Sequence, residues 1–285
     1  MPIKETPDTG ISYEKAMATL WSKAYELRAL VDSLYSTFNS TNITDLNSYR
    51  VRQLKRMSLM VDSFIPIVVK RKDLVSTHII HRCLSDSVVA FFLIYDNDEP
   101  EKVLLRHYLY ILDGNYDRND AVGTPDFSIY PESIRDNAKV LYEESKKNYE
   151  DTMALCESKI KELAYYKANT SRVNDLISAR NWKYQTIEKP KEKVYWKTLY
   201  SNSDKLVPAD YTSYLSEDIH GLSFSVENLE PSPNNFAGDI MHVAYLCERL
   251  MNYMERRMGM LWLPQVQAYY DKITSGEFKP QSLSE

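Results

Sequence analysis

Residues 74–116 read LVSTHIIHRCLSDSVVAFFLIYDNDEPEKVLLRHYLYILDGNY, and this stretch decides the fold class. Residues 88–95 (VVAFFLIY) are apolar on every face. A run that short cannot cross a bilayer, so it reads as a buried core segment. Upstream, His78, Arg82 and Asp86 recur every four residues, one helical turn apart, with His81 beside them. Charges that adjoin a buried run need partners. Asp98 then offers an N-cap, Pro100 an early helical position, and Glu99 and Glu101 an acidic first turn. A second helix is expected from 101 to 112, stopping at Gly114. The short link makes the two an antiparallel pair, so the predicted centre is a helical hairpin over 74–112.

Outward from this hairpin the pattern stays helical. Before it, Ser12 caps a helix whose apolar positions include Ala16, Leu20, Leu27, Leu30, Val31 and Leu34, spaced mostly by threes and fours. A second helix covers 46–70 and is bent or interrupted at Pro66. Its basic residues Arg50, Arg52, Lys55 and Arg56 read as a solvated face, with phosphate binding as the minor alternative. After the hairpin, the irregular residues 117–130 lead into the longest helix, 131–169. That helix would be about 58 Å long at 1.5 Å per residue. Its stripe of Ile134, Ala138, Leu141, Ser145, Tyr149, Met153, Cys156, Ile160 and Leu163 suits a helix packed lengthwise in a bundle. A short helix from Ser171, one from Pro208 to Gly221 and a strong one over 236–258 complete the series. No alternating strand pattern appears. The expectation is an all-α, multi-helix bundle: a tail at 1–10, one domain at 11–275 and a tail at 276–285.

Composition narrows the function. Seven glycines against 22 tyrosines leave few tight hairpin turns, which long helices do not need. A net charge of −5 disfavours a surface that coats nucleic acid, though not a local basic patch. Cys83, Cys156 and Cys247 are odd in number and far apart, each in an apolar helical pattern, so free thiols are expected. The first ten residues lack the apolar core of a signal peptide, and a reducing cytoplasm is the expected compartment, with no membrane partner.

Two groups of residues carry candidate chemistry. The first is a polar cleft built from Arg82, Asp86, Arg106, His107, Asp113 and His220. Arg82 with Asp86 reads as a structural ion pair; Arg106 and His220 could meet an anion. The second lies in residues 181–204, where aromatics alternate with lysines. There Trp182, Lys183, Tyr184, Lys193 and Trp196 could form a stacking platform for single-stranded nucleic acid. The preferred reading is a loop anchored by its tryptophans, with lysines in water. His78 and His81 share a helix face, but the Glu-x-x-His pattern of a di-metal bundle is absent, so no metal or other cofactor is expected. No phosphate loop, dinucleotide fingerprint, HExxH, CxxC or GxSxG occurs.

The phrases HRCLSDSVVAFF, LLRHYLYILDG and YTSYLSEDIHG resemble bacterial helical proteins of unknown function that pair an early R-x-x-x-[DE] helix with a late S-x-x-x-H helix. Those proteins are in turn similar to the HEPN superfamily, helical bundles found in toxin–antitoxin and phage-defence systems. The resemblance spans about residues 71–221. The resemblance implies a bundle; the ribonucleases of that superfamily carry an R-x(4-6)-H pattern. In this chain Arg71 and His78 have that spacing, whereas no arginine stands at the required offset before His220. The residues themselves favour a non-enzymatic cytoplasmic binding or assembly module with a protein partner or a second copy of itself. A HEPN-like protein that binds or cleaves nucleic acid is the alternative.

Overall fold

A computed structural model of the chain describes residues 12–123, 125–203, 206–208, 211–219 and 231–259. Among these residues there are ten α-helices and no strand, so the protein is all-α. The helices are α1 (Tyr13–Thr37), α2 (Leu46–Pro66), α3 (Leu74–Tyr95), α4 (Pro100–Val122), α5 (Glu132–Glu162), α6 (Ala164–Ala168), α7 (Thr170–Ser178), α8 (Trp196–Asn202), α9 (Tyr211–Ile219) and α10 (Ala237–Met258). The chain divides into two compact units, Met1–Phe92 with Trp196–Glu285, and Leu93–Tyr195. The division falls inside α3, so the hairpin expected as a common centre belongs whole to neither unit.

In the first unit, α1 packs against both α2 and α10. Ser12 caps α1 by accepting from the Lys15 amide, as its sequence position suggests, and Asp45 does the same for α2 through Ser48. Leu20, Leu27, Leu30 and Leu34 of α1 meet a core that includes Leu54 and Phe64 of α2 and Ile240, Leu246 and Leu250 of α10, all buried. Pro66 ends α2, and one π-helical turn, Ile67–Arg71, follows before Lys72 turns left-handed at φ 52°. Asp73 then caps α3 by accepting from the Ser76 amide. By length and composition α3 could span a membrane, but 67% of its apolar window is buried and it carries the buried His78, His81 and Arg82. It is a core helix.

In the second unit, α4 and α5 run antiparallel. The start of α4 meets the chain after α5, where Glu101 accepts from the Tyr165 amide at 2.9 Å, and the Tyr142 hydroxyl donates to Gly123 at the end of α4. The expected stop at Gly114 is not used: α4 continues to Val122 and ends at Gly123, whose φ is +53°. Glycine costs a helix interior about 1 kcal/mol. Packing against α5 and the buried Asn115, whose amide donates to the Ile111 carbonyl, offset it. The long helix ends at Glu162, not 169, because Leu163 is extended. Within the helix its stripe is buried only at Cys156 and Ile160, and Leu163 just beyond is buried too, so the expectation of a helix packed along its whole length is corrected.

Candidate functional site

The polar residues of α3 converge on one face. His78, His81 and Arg82 fall at i, i+3 and i+4, and Asp86 one turn further. The face is closed by α8, α9 and α10, which return from the far end of the sequence. Asp239 stands in the first turn of α10 and is 2% exposed. Its two carboxylate oxygens bind two rings: Oδ2 lies 3.0 Å from His78 Nε2 and Oδ1 lies 2.9 Å from His81 Nδ1. Both histidines are fully buried. His81 Nε2 continues to His242 Nδ1 at 2.6 Å, and His242 Nε2 to the Leu206 carbonyl at 2.9 Å. The Tyr214 hydroxyl of α9 lies 3.1 Å from His78 Nε2.

Donor and acceptor roles follow from this order. A carbonyl only accepts, so His242 Nε2 donates to Leu206. Burial, and then the charge of His81, push the His242 pKa down to about 4, so its ring is neutral at pH 7 and Nδ1 is an acceptor. His81 Nε2 must therefore donate. Burial alone would raise the Asp239 carboxyl. Hydrogen bonds from His78 and His81, together with their charge, instead hold it well below the usual carboxylate range. Asp239 is an ionised acceptor, and His81 donates to it from Nδ1.

A second network lies beside the first. Arg82 Nε donates to both Asp86 oxygens, at 3.1 and 3.0 Å, and Nη1 donates to the Ser216 hydroxyl at 2.7 Å. The Tyr200 hydroxyl donates to Asp86 Oδ1 at 2.5 Å, and the guanidinium lies over the Tyr200 ring, 5.5 Å from its centroid. Burial first, then the negative Asp86, push the Tyr200 pKa far up, so tyrosine stays a donor. Together the two networks tie α3 to α8, α9 and α10 by directional, charge-assisted bonds.

The cleft expected from the sequence is met only in part. Arg82 and Asp86 do pair. Arg106, His107 and Asp113 belong to the second unit, where each has its own partners. Arg106 donates to the carbonyls of Leu93 and Tyr184 and lies over the Tyr184 ring, which fixes a loop and leaves those donors committed. His107 is fully buried, with Nδ1 3.0 Å from the Tyr95 hydroxyl. Asp113 is half-buried, and burial with the neighbouring Asp117 pushes its pKa up to about 6. His220 lies outside the described residues.

The stacking platform is corrected. Trp182 is buried edge-on against Tyr110 at 4.9 Å, and Tyr184 is buried beneath Arg106, so neither ring offers a face to a base. Asn181 closes the loop by donating to the Pro190 and Glu192 carbonyls. Lys183 lies by the Trp182 ring, and the exposed Lys193 over Tyr195. Trp196 belongs to the first unit, edge-on to Tyr200. Residues 181–195 form an anchored loop.

On another face of α3 lies an open groove of about 570 Å³. Arg52, Lys55, Arg56, Leu59, Met60 and Ser63 of α2 line it along a single helix face, opposite Tyr35, Ile80 and Cys83. Its lining is charged at one end and apolar at the other. Lys55 is held by Asp32 and Arg52 reaches the Thr41 carbonyl, while Arg56 and Leu59 are exposed.

Asp239, His242, Tyr200 and Tyr214 were missed as site residues in the sequence. The signal for two of them is present: Asp239 and His242 stand i, i+3 among the core positions Ile240 and Val243, the same spacing as His78 and His81. Among the described residues no group of three or more His, Cys, Asp or Glu side chains could hold a metal ion. Compared with protein-family models, curated proteins and solved structures, the chain finds no match.

Proposed function

We propose that the chain is a cytoplasmic, non-enzymatic binding and assembly module, and that its groove takes an acidic, amphipathic helix from a protein partner. The observation that carries this reading is the groove itself, basic at Arg52, Lys55 and Arg56 and apolar from Leu59 to Cys83. From Arg52 to Ser63 its lining on α2 covers about 16 Å at 1.5 Å per residue. That length and volume suit two or three apolar anchors of a docked helix, with its acidic end over the arginines. The polar networks of α3 are internally paired, which favours a structural strut over a substrate site.

The test is fluorescence polarisation with labelled acidic amphipathic peptides and basic counterparts of equal hydrophobicity. Acidic peptides should bind and lose affinity with salt, and Leu59→Asp or Arg56→Glu should weaken binding about tenfold, close to 1.4 kcal/mol. Equal binding of acidic and basic peptides, or indifference to both variants, would overturn the proposal.

The alternative, a HEPN-like protein acting on nucleic acid, draws support from one contact. Arg82 of the R-x-x-x-D helix donates to Ser216 of the S-x-x-x-H helix, so two of the three phrases that carry the resemblance meet. Incubation with structured and single-stranded RNA tests it. No cleavage and no salt-sensitive retention would remove this reading.

A further inference from the structure

The loop of residues 181–195 is fastened to α4 near its start. Trp182 is buried and packs edge-on against Tyr110, with ring centroids 4.9 Å apart. Its indole also donates to the carboxyl of Asp113, one turn after Tyr110. Two positions on, the Tyr184 carbonyl accepts from Arg106 at 3.1 Å. Further along, the loop meets α7 through the exposed pairs Arg172–Glu188 and Lys191–Asp175, which hold weakly in water. Asp113 is therefore a half-buried carboxyl placed where the loop begins. Asp117, one turn on, opposes its charge, whereas Arg180, Lys183 and the indole bond favour it. Arg180 is shared with Asp120, at 2.7 Å, and with Asp117, at 3.8 Å. From α5, Glu157 accepts from the Tyr116 hydroxyl and pairs with Lys161. His107, nearly two turns back on α4, faces Tyr95. Burial outweighs the attractions and, with Asp117, pushes the Asp113 pKa up to about 6, against an ordinary 3.8.

We propose that Asp113 and Trp182 form a proton-controlled latch, in which the neutral acid keeps residues 181–195 on α4 and loss of its proton loosens them. With the loop closed, a carboxylate at 113 is short of water and stands beside Asp117; with the loop open, it regains water. The neutral acid carries no such cost, and its carbonyl oxygen still accepts from the indole. The closed state therefore binds the proton more tightly than the open one. Acid closes the latch, and a pH rising from about 4 through about 6 loosens it. Because Asp113 keeps part of its hydration, the change in opening falls well short of the full linkage and is about fivefold to tenfold. The motion is a local opening of one loop, with α4 and α5 left in place.

The test uses the full chain labelled with 5-fluorotryptophan, its Trp182 signal assigned through Trp182→Phe. The Trp182 fluorine shift should titrate with a midpoint of about 6. Amide hydrogen exchange over residues 181–195, corrected for its intrinsic pH dependence, should quicken at least about fivefold between about pH 5 and 7.5. Asp113→Asn, a neutral isostere, should abolish the titration and hold exchange at its slow, acidic level. Asp117→Asn leaves Asp113 itself in place and should lower the midpoint. A midpoint at the ordinary 3.8, or one that Asp117→Asn does not move, overturns the latch. So does a titration that persists in Asp113→Asn, or exchange over 181–195 that is indifferent to pH.

Discussion

Two faces of α3, a few residues apart in sequence, meet opposite fates. The face of His78, His81, Arg82 and Asp86 is closed by α8, α9 and α10, and its charges are paired. The face of Ile80 and Cys83 borders an open groove. Both belong to one helix with one local propensity, so the difference comes from what returns to cover it. Polar groups in the covered face must find partners or cost stability, whereas groups at the groove remain available to a ligand. Burial, and not residue type alone, separates strut from binding surface here.

Four changes break or sharpen this contrast. The largest effect is expected for Asp239→Ala, which leaves His78 and His81 without their shared carboxylate in a dry interior. Denaturant unfolding should show a loss of about 3–5 kcal/mol, the range for breaking a buried pair on one side. A loss below about 1 kcal/mol would mean that the network is open to water.

Arg82→Ala should cost less, about 2 kcal/mol, because the Asp86 side chain is 26% exposed and keeps its bond from Tyr200. The double change Arg82→Met with Asp86→Leu should cost less than Arg82→Ala alone, since no orphan charge remains. A double change as harmful as the single one would show that packing, not charge pairing, sets the cost.

Acid should act next. The His242 pKa is about 4 in the fold, below the ordinary 6.5, so the unfolded state binds the extra proton between these values. Stability is therefore full above about 6.5 and falls as the pH drops towards 4, by about 3 kcal/mol. The lowered Asp239 carboxyl adds a further loss below the usual carboxylate range. Melting curves from pH 7.5 to 4 should show this slope, and His242→Gln should flatten it. A flat native profile would contradict the neutral His242 deduced from the Leu206 bond.

The smallest stability effect belongs to the groove. Leu59→Ser and Cys83→Ser should shift unfolding by no more than about 0.5 kcal/mol, as for surface positions in general. A larger loss would place these side chains in a packed interface rather than an open one.

How much was legible in the sequence depends on range. Local signals settled the all-α class, the cap at Ser12, the break at Pro66 and the Arg82–Asp86 pair, because each involves residues within one or two turns. Local signals also erred where packing outweighed them. Gly114 was read as a stop, yet contacts with α5 carry α4 through it. The aromatic–lysine segment was read in part as a platform, yet Trp182 and Tyr184 are drawn inward by Tyr110 and Arg106.

The histidine–aspartate network could not be read at all from spacing. His78 and Asp239 are 161 residues apart, and no period in the chain links them. By itself the sequence determined which residues form helices and which face of each is apolar, since backbone hydrogen bonds and side-chain period act over three or four residues. Only the tertiary structure decided which faces meet. That choice set the neutral state of His242 and the closure of one side of α3. Each depends on desolvation by elements that arrive from elsewhere in the chain.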